Sequence, residues 1–459
     1  MIEDKAIALN SAPKYTAEDI SRMIQENDIK IVRVVFNDNV NVSRARNIPA
    51  KQFIHSVLRA GVQYPSGMMS VDTSGAFVLS AGEGFTGGYG SWLLKPDLST
   101  FTVLPWARNC ARVVADMYTL DGEAIHVAPR HIFRKVLQEL DKEGLVAYGA
   151  AELEFYVFKE FDTTGYTPSW TGVQCYSEVK QSEVDEILYN LSVPIEKLGI
   201  GVEAVNTEYG SGQFEVSIKP FTGLGQADAA FTYKAAVKEL MHQLGYHATF
   251  MAKPISNQSG SGAHFHHSLY NKYTGANALY DSADQYGMSD TMKHFIAGQL
   301  AHSAAICAFA NPTINSYRRL RPYTFAPFNI TWSFDNRMCL IRVPEARGSG
   351  MNMENRIAGA DNNPYLMMAA MYAAGLDGIR QSMTLEDPII HEDAYALQDH
   401  GSLPSSLPDA LAALKEDDVL QAYLGKEGVQ SFIALKENEI QRFNNHVTDW
   451  EISEYKDLF

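Results

Sequence analysis

The strand-like segment at residues 151–158 carries two carboxylates on one face, and this pattern restricts the possible folds most strongly. Side chains alternate between the two faces of a strand, so Glu152 and Glu154 project together while Leu153 and Phe155 project to the opposite face. A solvated strand face is the simplest interpretation of this segment alone. Neighbouring segments decide whether the two acids have a further use.

Three later segments repeat this arrangement of polar side chains on predicted strands. In the last of them, His264 and His266 share one strand face behind a Gly-Ser-Gly turn. Like charges gathered on neighbouring strands repel strongly unless cations neutralise them, and oxygen-rich ligand sets suit Mg²⁺ or Mn²⁺. We therefore predict a two-metal site for phosphoryl transfer. The acidic residues and histidines of the three segments are Glu203, Glu208, Glu215, His264 and His266.

Arginines further along the chain complement these acids. A guanidinium group suits bidentate contact with carboxylate and phosphate groups. Each arginine alone is more often a surface or ion-pair residue. Together with the acidic strands, they indicate a site that holds a carboxylate substrate next to a nucleotide. The arginines are Arg318, Arg319, Arg337, Arg342 and Arg356.

A nucleotide would have to bind here without a P-loop. The glycine pattern at residues 82–87 matches the dinucleotide-binding motif, but the residues that follow it cannot open a helix. We therefore interpret the match as coincidental. No Gly-x-x-x-x-Gly-Lys-Ser/Thr motif occurs either.

Charge and composition favour small-molecule chemistry. The formal net charge of −16, without any block rich in lysine and arginine, argues against a nucleic-acid or anionic-membrane partner. No stretch reaches the roughly 18 to 20 apolar residues that span a bilayer, and the first residues do not resemble a signal peptide. The four cysteines are far apart, which predicts reduced thiols in a cytoplasmic protein.

The order of predicted strands and helices indicates an α+β chain of two domains. With 459 residues and 46% apolar content, the chain can bury a large core. A helix near residues 16–27 and a strand near residues 29–36 begin a small N-terminal domain. Glycine is dense at residues 75–90, and we predict a boundary soon after it, which gives domains 1–105 and 106–459.

Eight segments, in this order, resemble signatures of the glutamine synthetase superfamily over nearly the whole chain. They are KPDLST, AELEF, Glu208 together with QFE at residues 213–215, GSGAHFHHSL, NSYRRL, NRMCLIRVP, ENRIAGADNNPYL and VTDWE. The resemblance implies a small N-terminal β-grasp domain followed by a large catalytic domain with a curved antiparallel sheet and helices. It also implies a homo-oligomer, a dodecamer of two stacked hexamers, with active sites between subunits.

The resemblance further implies a role for each matching residue. One Mg²⁺ or Mn²⁺ ion would bind at Glu154, Glu208 and Glu215, and a second at Glu152, His264 and Glu354. ATP would contact Glu203, His266, Ser268, Arg337 and Arg342. Glutamate would be bound by Gly260, Arg319 and Arg356. Arg337, which faces the transferring phosphate, and Arg319 would be the catalytic residues.

The chain departs from the ammonia-using enzymes of this superfamily where their ammonium site is expected. Those enzymes carry an acidic residue on a flap shortly after the arginine clamp, and Phe325 stands at that position. The acid of a second loop, which helps to bind ammonium across the subunit interface, is lost or shifted to Asp72. Ser91 and Ser259 replace further residues of the family pattern. An ammonium ion in an uncharged pocket loses its solvation without compensation, so these changes disfavour ammonia as the substrate.

We therefore predict a ligase that joins glutamate to an apolar alkyl or aromatic amine, such as aniline, through a γ-glutamyl phosphate intermediate. Phe325 would form part of the substrate site. One alternative is an ammonia-using glutamine synthetase that relies on an acid such as Asp72. Another is a catalytically inactive scaffold or regulator, and retention of all six metal ligands argues against it.

Overall fold

The structure is a computed structural model, and it describes residues 15–459 except positions 83, 174, 391 and 398. The strands are β1 (Ile31–Asn37), β2 (Ser43–Pro49), β3 (Val62–Pro65), β4 (Ser91–Pro96), β5 (Thr102–Val103), β6 (Cys110–Tyr118), β7 (Leu145–Phe161), β8 (Tyr166–Pro168), β9 (Val202–Thr207), β10 (Gln213–Ile218), β11 (Phe221–Thr222), β12 (His247–Thr249), β13 (Ala263–Asn271), β14 (Trp332–Phe334), β15 (Ile341–Val343) and β16 (Met353–Asn355). The α-helices are α1 (Ala17–Glu26), α2 (Ala50–Gln52), α3 (Leu58–Ala60), α4 (Pro129–Lys142), α5 (Glu178–Glu183), α6 (Asp185–Glu196), α7 (Gly225–Gln243), α8 (Asp290–Ala301), α9 (Ser303–Ala310), α10 (Pro364–Gln381), α11 (Leu407–Glu416), α12 (Asp418–Leu424), α13 (Lys426–Asn444) and α14 (Asp449–Tyr455).

A six-stranded sheet forms the first part of the chain. Its strands run in the order β2-β1-β6-β4-β3, with β5 paired to β6. α1 begins after Thr16, whose hydroxyl accepts a hydrogen bond from the Asp19 backbone N–H and so satisfies one of the free donors of the first turn. Ile20 and Ile24 of this helix lie in the core of the sheet. The first helix and the first strand predicted from the sequence are thus confirmed.

The strand β6 belongs to this first sheet although it lies beyond residue 105. It pairs in parallel with β1 and antiparallel with β4. Its residues Ala111 and Val113 share the core of the first sheet. A boundary at residue 105 would therefore separate β6 from the sheet that it completes. We propose a boundary between Tyr118 and Pro129 instead, because that division keeps the sheet whole.

A ten-stranded sheet forms the second part, with β14-β15-β16-β13-β7-β10-β9 as its main path. The long central strand β7 pairs antiparallel with β8, β10, β11, β12 and β13. β14 and β15 pair in parallel, so the sheet is antiparallel except at this edge. The predicted α+β class, with a curved sheet and helices, is confirmed.

Helices cover one face of this large sheet and leave the other face for polar side chains. α10 is buried from Pro364 to Gly378, that is, over all but its last three residues, as expected for a helix that is apolar on all sides. Its Tyr372 ring packs edge-on against Phe265 of β13, with 5.8 Å between ring centroids. Phe265 lies between His264 and His266 in the strand, so the two histidines point to the opposite face.

The remaining sequence predictions about the chain can be compared directly. Residues from 404 onward are mostly helical, in α11 to α14, as predicted. All four cysteines are free. Within the described residues, none of the helices combines the length and the apolar composition needed to cross a membrane.

Candidate active site

The register of four neighbouring strands gathers five of the six predicted metal ligands on one face of the large sheet. Glu152 of β7 lies directly opposite His264 of β13, and Glu154 lies opposite Glu215 of β10. His266 lies opposite Glu354 of β16. Residues opposite each other in a sheet share a face, so the pairing brings together acids and histidines from four strands. This is the convergence that the alternation in residues 151–158 predicts.

Among the residues that the structure describes, two groups of three side chains have ligand atoms within 4.8 Å of one another. One group is Glu152, Glu215 and His264, and the other is Glu152, His266 and Glu354. Nδ1 of His264 lies 3.4 Å from a Glu152 carboxylate oxygen and 3.5 Å from one of Glu354. Nε2 of His266 lies 3.6 Å and 3.8 Å from the same two carboxylates. Glu152 is therefore common to both groups.

This grouping differs from the division into two ion sites that the family resemblance implies. His266, predicted to contact the nucleotide, lies beside the ligands because it follows His264 on the same strand face. Glu154 belongs to neither group. One of its carboxylate oxygens accepts hydrogen bonds from the Gly262 backbone N–H at 2.7 Å and from the Gln213 side-chain amide at 3.4 Å. Glu208, which follows β9, accepts from the Cys175 thiol at 3.6 Å.

The charges of these acids strongly influence one another. Burial raises the pKa of Glu215 to about 9, and repulsion from Glu152 and Glu154 acts in the same direction. Burial and the Glu154 carboxylate raise the pKa of Glu208 to about 7. Burial also disfavours ionised Glu354, but the attraction of Arg356 and then of the two histidines outweighs it and lowers the pKa of Glu354 to about 2.

These residues fit divalent cations. Clustered carboxylates that resist ionisation are stabilised when a cation neutralises them, and oxygen ligands with imidazole suit Mg²⁺ or Mn²⁺. Within the described part of the chain, Nε2 of His266 is buried and has no hydrogen-bond partner. A bound ion would satisfy this nitrogen, because Glu152 and Glu354 already lie around it.

Three of the predicted arginines, Arg319, Arg342 and Arg356, lie next to the acid cluster, whereas Arg318 is exposed and lines a different pocket. Arg342 and Arg356 both donate to the fully buried carboxylate of Glu354, and Arg342 also donates to Asp335 at 3.0 Å. Arg319 is buried and donates to the backbone carbonyls of Ile357 at 3.1 Å and Arg356 at 3.2 Å. The two predicted glutamate clamps, Arg319 and Arg356, are therefore in direct contact.

Gly260 lies against the Arg319 side chain, which explains why a glycine is needed there. A Cβ atom at Gly260 would lie 2.7 Å from Cγ of Arg319 and 3.0 Å from the Ala252 carbonyl oxygen. Any larger residue would displace the clamp.

Arg337 is exposed in the turn between β14 and β15, and it forms no ion pair with any residue that the structure describes. Its predicted catalytic role remains a prediction.

A cavity of about 1200 Å³ opens beside the acid cluster and can hold a nucleotide. Three of the predicted ATP contacts, Glu203, His266 and Ser268, line it together with Glu152. The Ser268 hydroxyl donates to the Met351 carbonyl, so this residue forms part of the wall. Arg342 is not among the lining residues because it is buried against Glu354. Arg347 and Asn352, which the sequence analysis did not select, also line the cavity.

Two aromatic residues that do not line this cavity are neighbours of Glu208 and Arg356. Phe325 and Tyr209 stack with 6.1 Å between ring centroids and 19° between planes, and their exposed fractions are 55% and 49%. The Phe325 carbonyl accepts a hydrogen bond from Arg356 at 3.3 Å. Sequence analysis selected Phe325, whose role stays a prediction, but not Tyr209, for which the available signal was an aromatic residue directly after a predicted ligand.

Asp72, the alternative acid for an ammonium site, is buried and fully partnered. One carboxylate oxygen accepts from the backbone N–H groups of Ser74 and Ala76 and from the Ser74 hydroxyl, at 2.7 to 3.0 Å. The other accepts from Asn438 at 2.7 Å and pairs with Arg442 at 3.0 Å. Asp72 therefore ties its loop to α13, and only 2% of its surface is exposed.

Comparisons with known proteins agree with this geometry. The family described as "Glutamine synthetase, catalytic domain" matches residues 126–455. A Thermotoga maritima protein named glutamine synthetase is 36% identical over 451 residues, which cover 96% of this chain and 99% of that protein. A Pseudomonas protein named glutamate–isopropylamine ligase is 32% identical over 447 residues, which cover 95% and 96% respectively. The solved structure titled "GmaS/ADP complex-Conformation 1" has a TM-score of 0.85 at 27% identity, and the match covers 96% of this chain and 99% of that one.

Proposed function

The chain belongs to the glutamine synthetase family, and from this premise we propose that it is an ATP-dependent ligase that joins glutamate to an apolar amine rather than to ammonia. The observation that carries the proposal is the exposed Phe325 ring, which stacks on Tyr209, the residue directly after the predicted metal ligand Glu208. By family resemblance, an acidic residue that attracts ammonium would stand at this position. An aromatic ring there favours an amine that brings its own apolar group.

The first step would transfer a phosphoryl group from ATP to the γ-carboxylate of glutamate. ATP would occupy the cavity lined by Glu203 and His266, and the arginines 319 and 356 would hold the glutamate carboxylates. Divalent cations at the acid cluster, when bound, would neutralise charge on the phosphates. Arg337 would reach the transferred phosphate from the exposed turn after β14.

The second step would form the amide bond. The lone pair of a neutral amine would attack the acyl carbon of γ-glutamyl phosphate, phosphate would leave with the electrons of the C–O bond, and the nitrogen would lose one proton to the departing phosphate. An aromatic amine such as aniline is already neutral at pH 7, so it needs no acidic residue to attract or deprotonate it. Stacking on Phe325 would contribute roughly 0.5 to 1.5 kcal/mol, or about 2- to 13-fold in affinity. Neighbouring apolar groups must therefore contribute to the preference.

An ammonia-using glutamine synthetase is the second candidate, because several similar relatives carry that name, including the Thermotoga maritima protein. The bonding of Asp72 argues against this candidate within one subunit, since both of its carboxylate oxygens already have partners. We also propose that the chain forms a homo-oligomer, a dodecamer, in which neighbouring subunits complete the active sites.

A competition assay tests the proposal. Phosphate release would be measured with Mg²⁺, ATP and glutamate in the presence of ammonium, isopropylamine, a diamine or aniline at equal concentrations. We expect kcat/KM to be highest for aniline or isopropylamine. A preference for ammonium or the diamine would contradict the apolar-amine proposal. Absence of turnover with every amine would instead favour an inactive scaffold.

A further inference from the structure

Tyr209 occupies a turn that is fixed to the large sheet beneath it. It directly follows Glu208, and the next residue, Gly210, lies so close to Tyr156 that an added Cβ would stand 1.8 Å from the phenol oxygen. The same phenol donates to the Ser259 carbonyl at 2.8 Å, and the Gly210 N–H donates to the Gln213 side chain at 2.9 Å. The backbone beside Tyr209 is therefore held by the sheet that carries the acid cluster.

Phe325 is held in place from the other side of the site. Its φ of 58° lies in the left-handed region, which costs a bulky residue on the order of 1–3 kcal/mol. Surrounding hydrogen bonds stabilise this conformation: the Thr324 hydroxyl donates to the Arg321 carbonyl at 2.7 Å, and Tyr395 donates to the Ala326 carbonyl at 3.0 Å. The contact from Arg356 to the Phe325 carbonyl adds to them.

The two rings are stacked yet keep about half of their surface exposed. A stacked aromatic pair that served only the fold would bury most of its apolar area, because each buried square ångström contributes about 25 cal/mol. Tyr209 and Phe325 instead leave 49% and 55% exposed. Tyr209 directly follows Glu208, and the Phe325 carbonyl accepts a hydrogen bond from Arg356, which also binds Glu354. This placement offers an apolar surface close to residues of the acid cluster.

We infer that Tyr209 is a specificity-determining residue of the amine site, and that the apolar group of the amine packs against the Tyr209 and Phe325 rings. This inference rests on the proposed function, and it adds a second aromatic wall to the site. Tyr209 would also be one of the neighbouring apolar groups that must act with Phe325 to produce the preference for apolar amines. The substrates that fit such a surface are primary amines that carry a flat aromatic or a compact alkyl group.

The test compares three variants with the native enzyme. Tyr209→Leu removes the ring, Tyr209→Phe keeps it, and Tyr323→Leu is the matched control. Tyr323 lies in the same segment as Phe325, also has a positive φ of 60°, and is 72% exposed, but its ring packs on Tyr395. For each protein, kcat and KM are measured with aniline, isopropylamine and ammonium, together with KM for ATP and glutamate and the Mg²⁺ concentration for half activity.

We expect Tyr209→Leu to raise KM for aniline and lower its kcat/KM by about 2- to 13-fold, with a smaller loss for isopropylamine and none for ammonium. Tyr209→Phe and Tyr323→Leu should keep the native values. Equal losses with all three amines, or a changed Mg²⁺ requirement, would show that Tyr209 merely positions Glu208 and would overturn the inference. An unchanged amine preference in Tyr209→Leu would overturn it as well. A native enzyme that prefers ammonium would instead refute the proposed function itself.

Discussion

Glu152 lies directly opposite His264 across the β7–β13 ladder, and the imidazole Nδ1 is 3.4 Å from a Glu152 carboxylate oxygen. Because Glu152 belongs to both groups of clustered ligand atoms, it is the carboxylate on which both depend. This shared position makes it the most informative residue for testing the metal site.

Replacing Glu152 with glutamine should reduce turnover by about 100-fold or more, since a small misplacement of catalytic groups already costs this much. Glu154→Ala and Glu208→Ala should also abolish turnover if these acids hold an ion. Calorimetric titration of each variant with Mn²⁺ measures metal binding directly and separates loss of the metal from loss of the fold. Undiminished turnover in all three variants would refute the two-metal proposal.

Metal-free protein should become less stable as the pH rises from about 5 to 9. Glu215 has a folded pKa of about 9, above its ordinary value of 4.5, so the folded state binds more protons than the unfolded state across this range. The free energy of unfolding therefore falls with increasing pH. Thermal unfolding in EDTA at several pH values measures the slope.

Two comparisons make this pH prediction specific to the acid cluster. The variant Glu215→Gln should show a smaller slope, because it lacks one of the two acids whose pKa is raised, and the slope that is left belongs in part to Glu208. Mg²⁺ should stabilise the native protein most at high pH, because Glu215 loses its proton more readily there and its carboxylate can then bind the ion. A slope that is the same in the variant and in the native protein would assign the effect to other groups.

The alternation of residues in 151–158 predicted correctly that Glu152 and Glu154 share a face, because side-chain direction in a strand is a local property. The partners of β7 could not be predicted in the same way. The pairing of Glu154 with Glu215 and of Glu152 with His264 depends on which distant strands flank β7, and it was inferred only by resemblance to a family.

The structural features that the sequence did not predict depend on contacts between distant segments. Tyr209 and Phe325 stack although no local pattern connects them. Likewise, the dense glycines before residue 90 indicated a boundary near residue 105, but β6 returns to pair with β1 and completes the first sheet after that point. Local composition marks loops, whereas domain limits depend on which strands pair.

Gly260→Ala should weaken glutamate binding through Arg319. The added methyl group would lie 2.7 Å from Cγ of Arg319, and the clamp would have to move. We expect a higher KM for glutamate, with little change in KM for ATP. Arg319→Lys should have a related effect, because an ammonium group cannot replace a planar bidentate fork. Gly165→Ala is the control, since Gly165 has free space around it and no left-handed φ. Unchanged glutamate KM values in Gly260→Ala and Arg319→Lys would show that Arg319 is not a clamp.

Asp72→Asn distinguishes the amine ligase from an ammonia-using enzyme. Asp72 accepts five contacts from its own loop and from α13, so its loss should lower the free energy of unfolding by about 1–3 kcal/mol. If Asp72 serves only the fold, the ratio of kcat/KM for ammonium to kcat/KM for aniline should not change. Denaturant unfolding and the two kinetic constants test both parts. A selective loss of ammonium turnover, with stability unaltered, would instead assign Asp72 to ammonium binding, since a structural aspartate affects both amines equally.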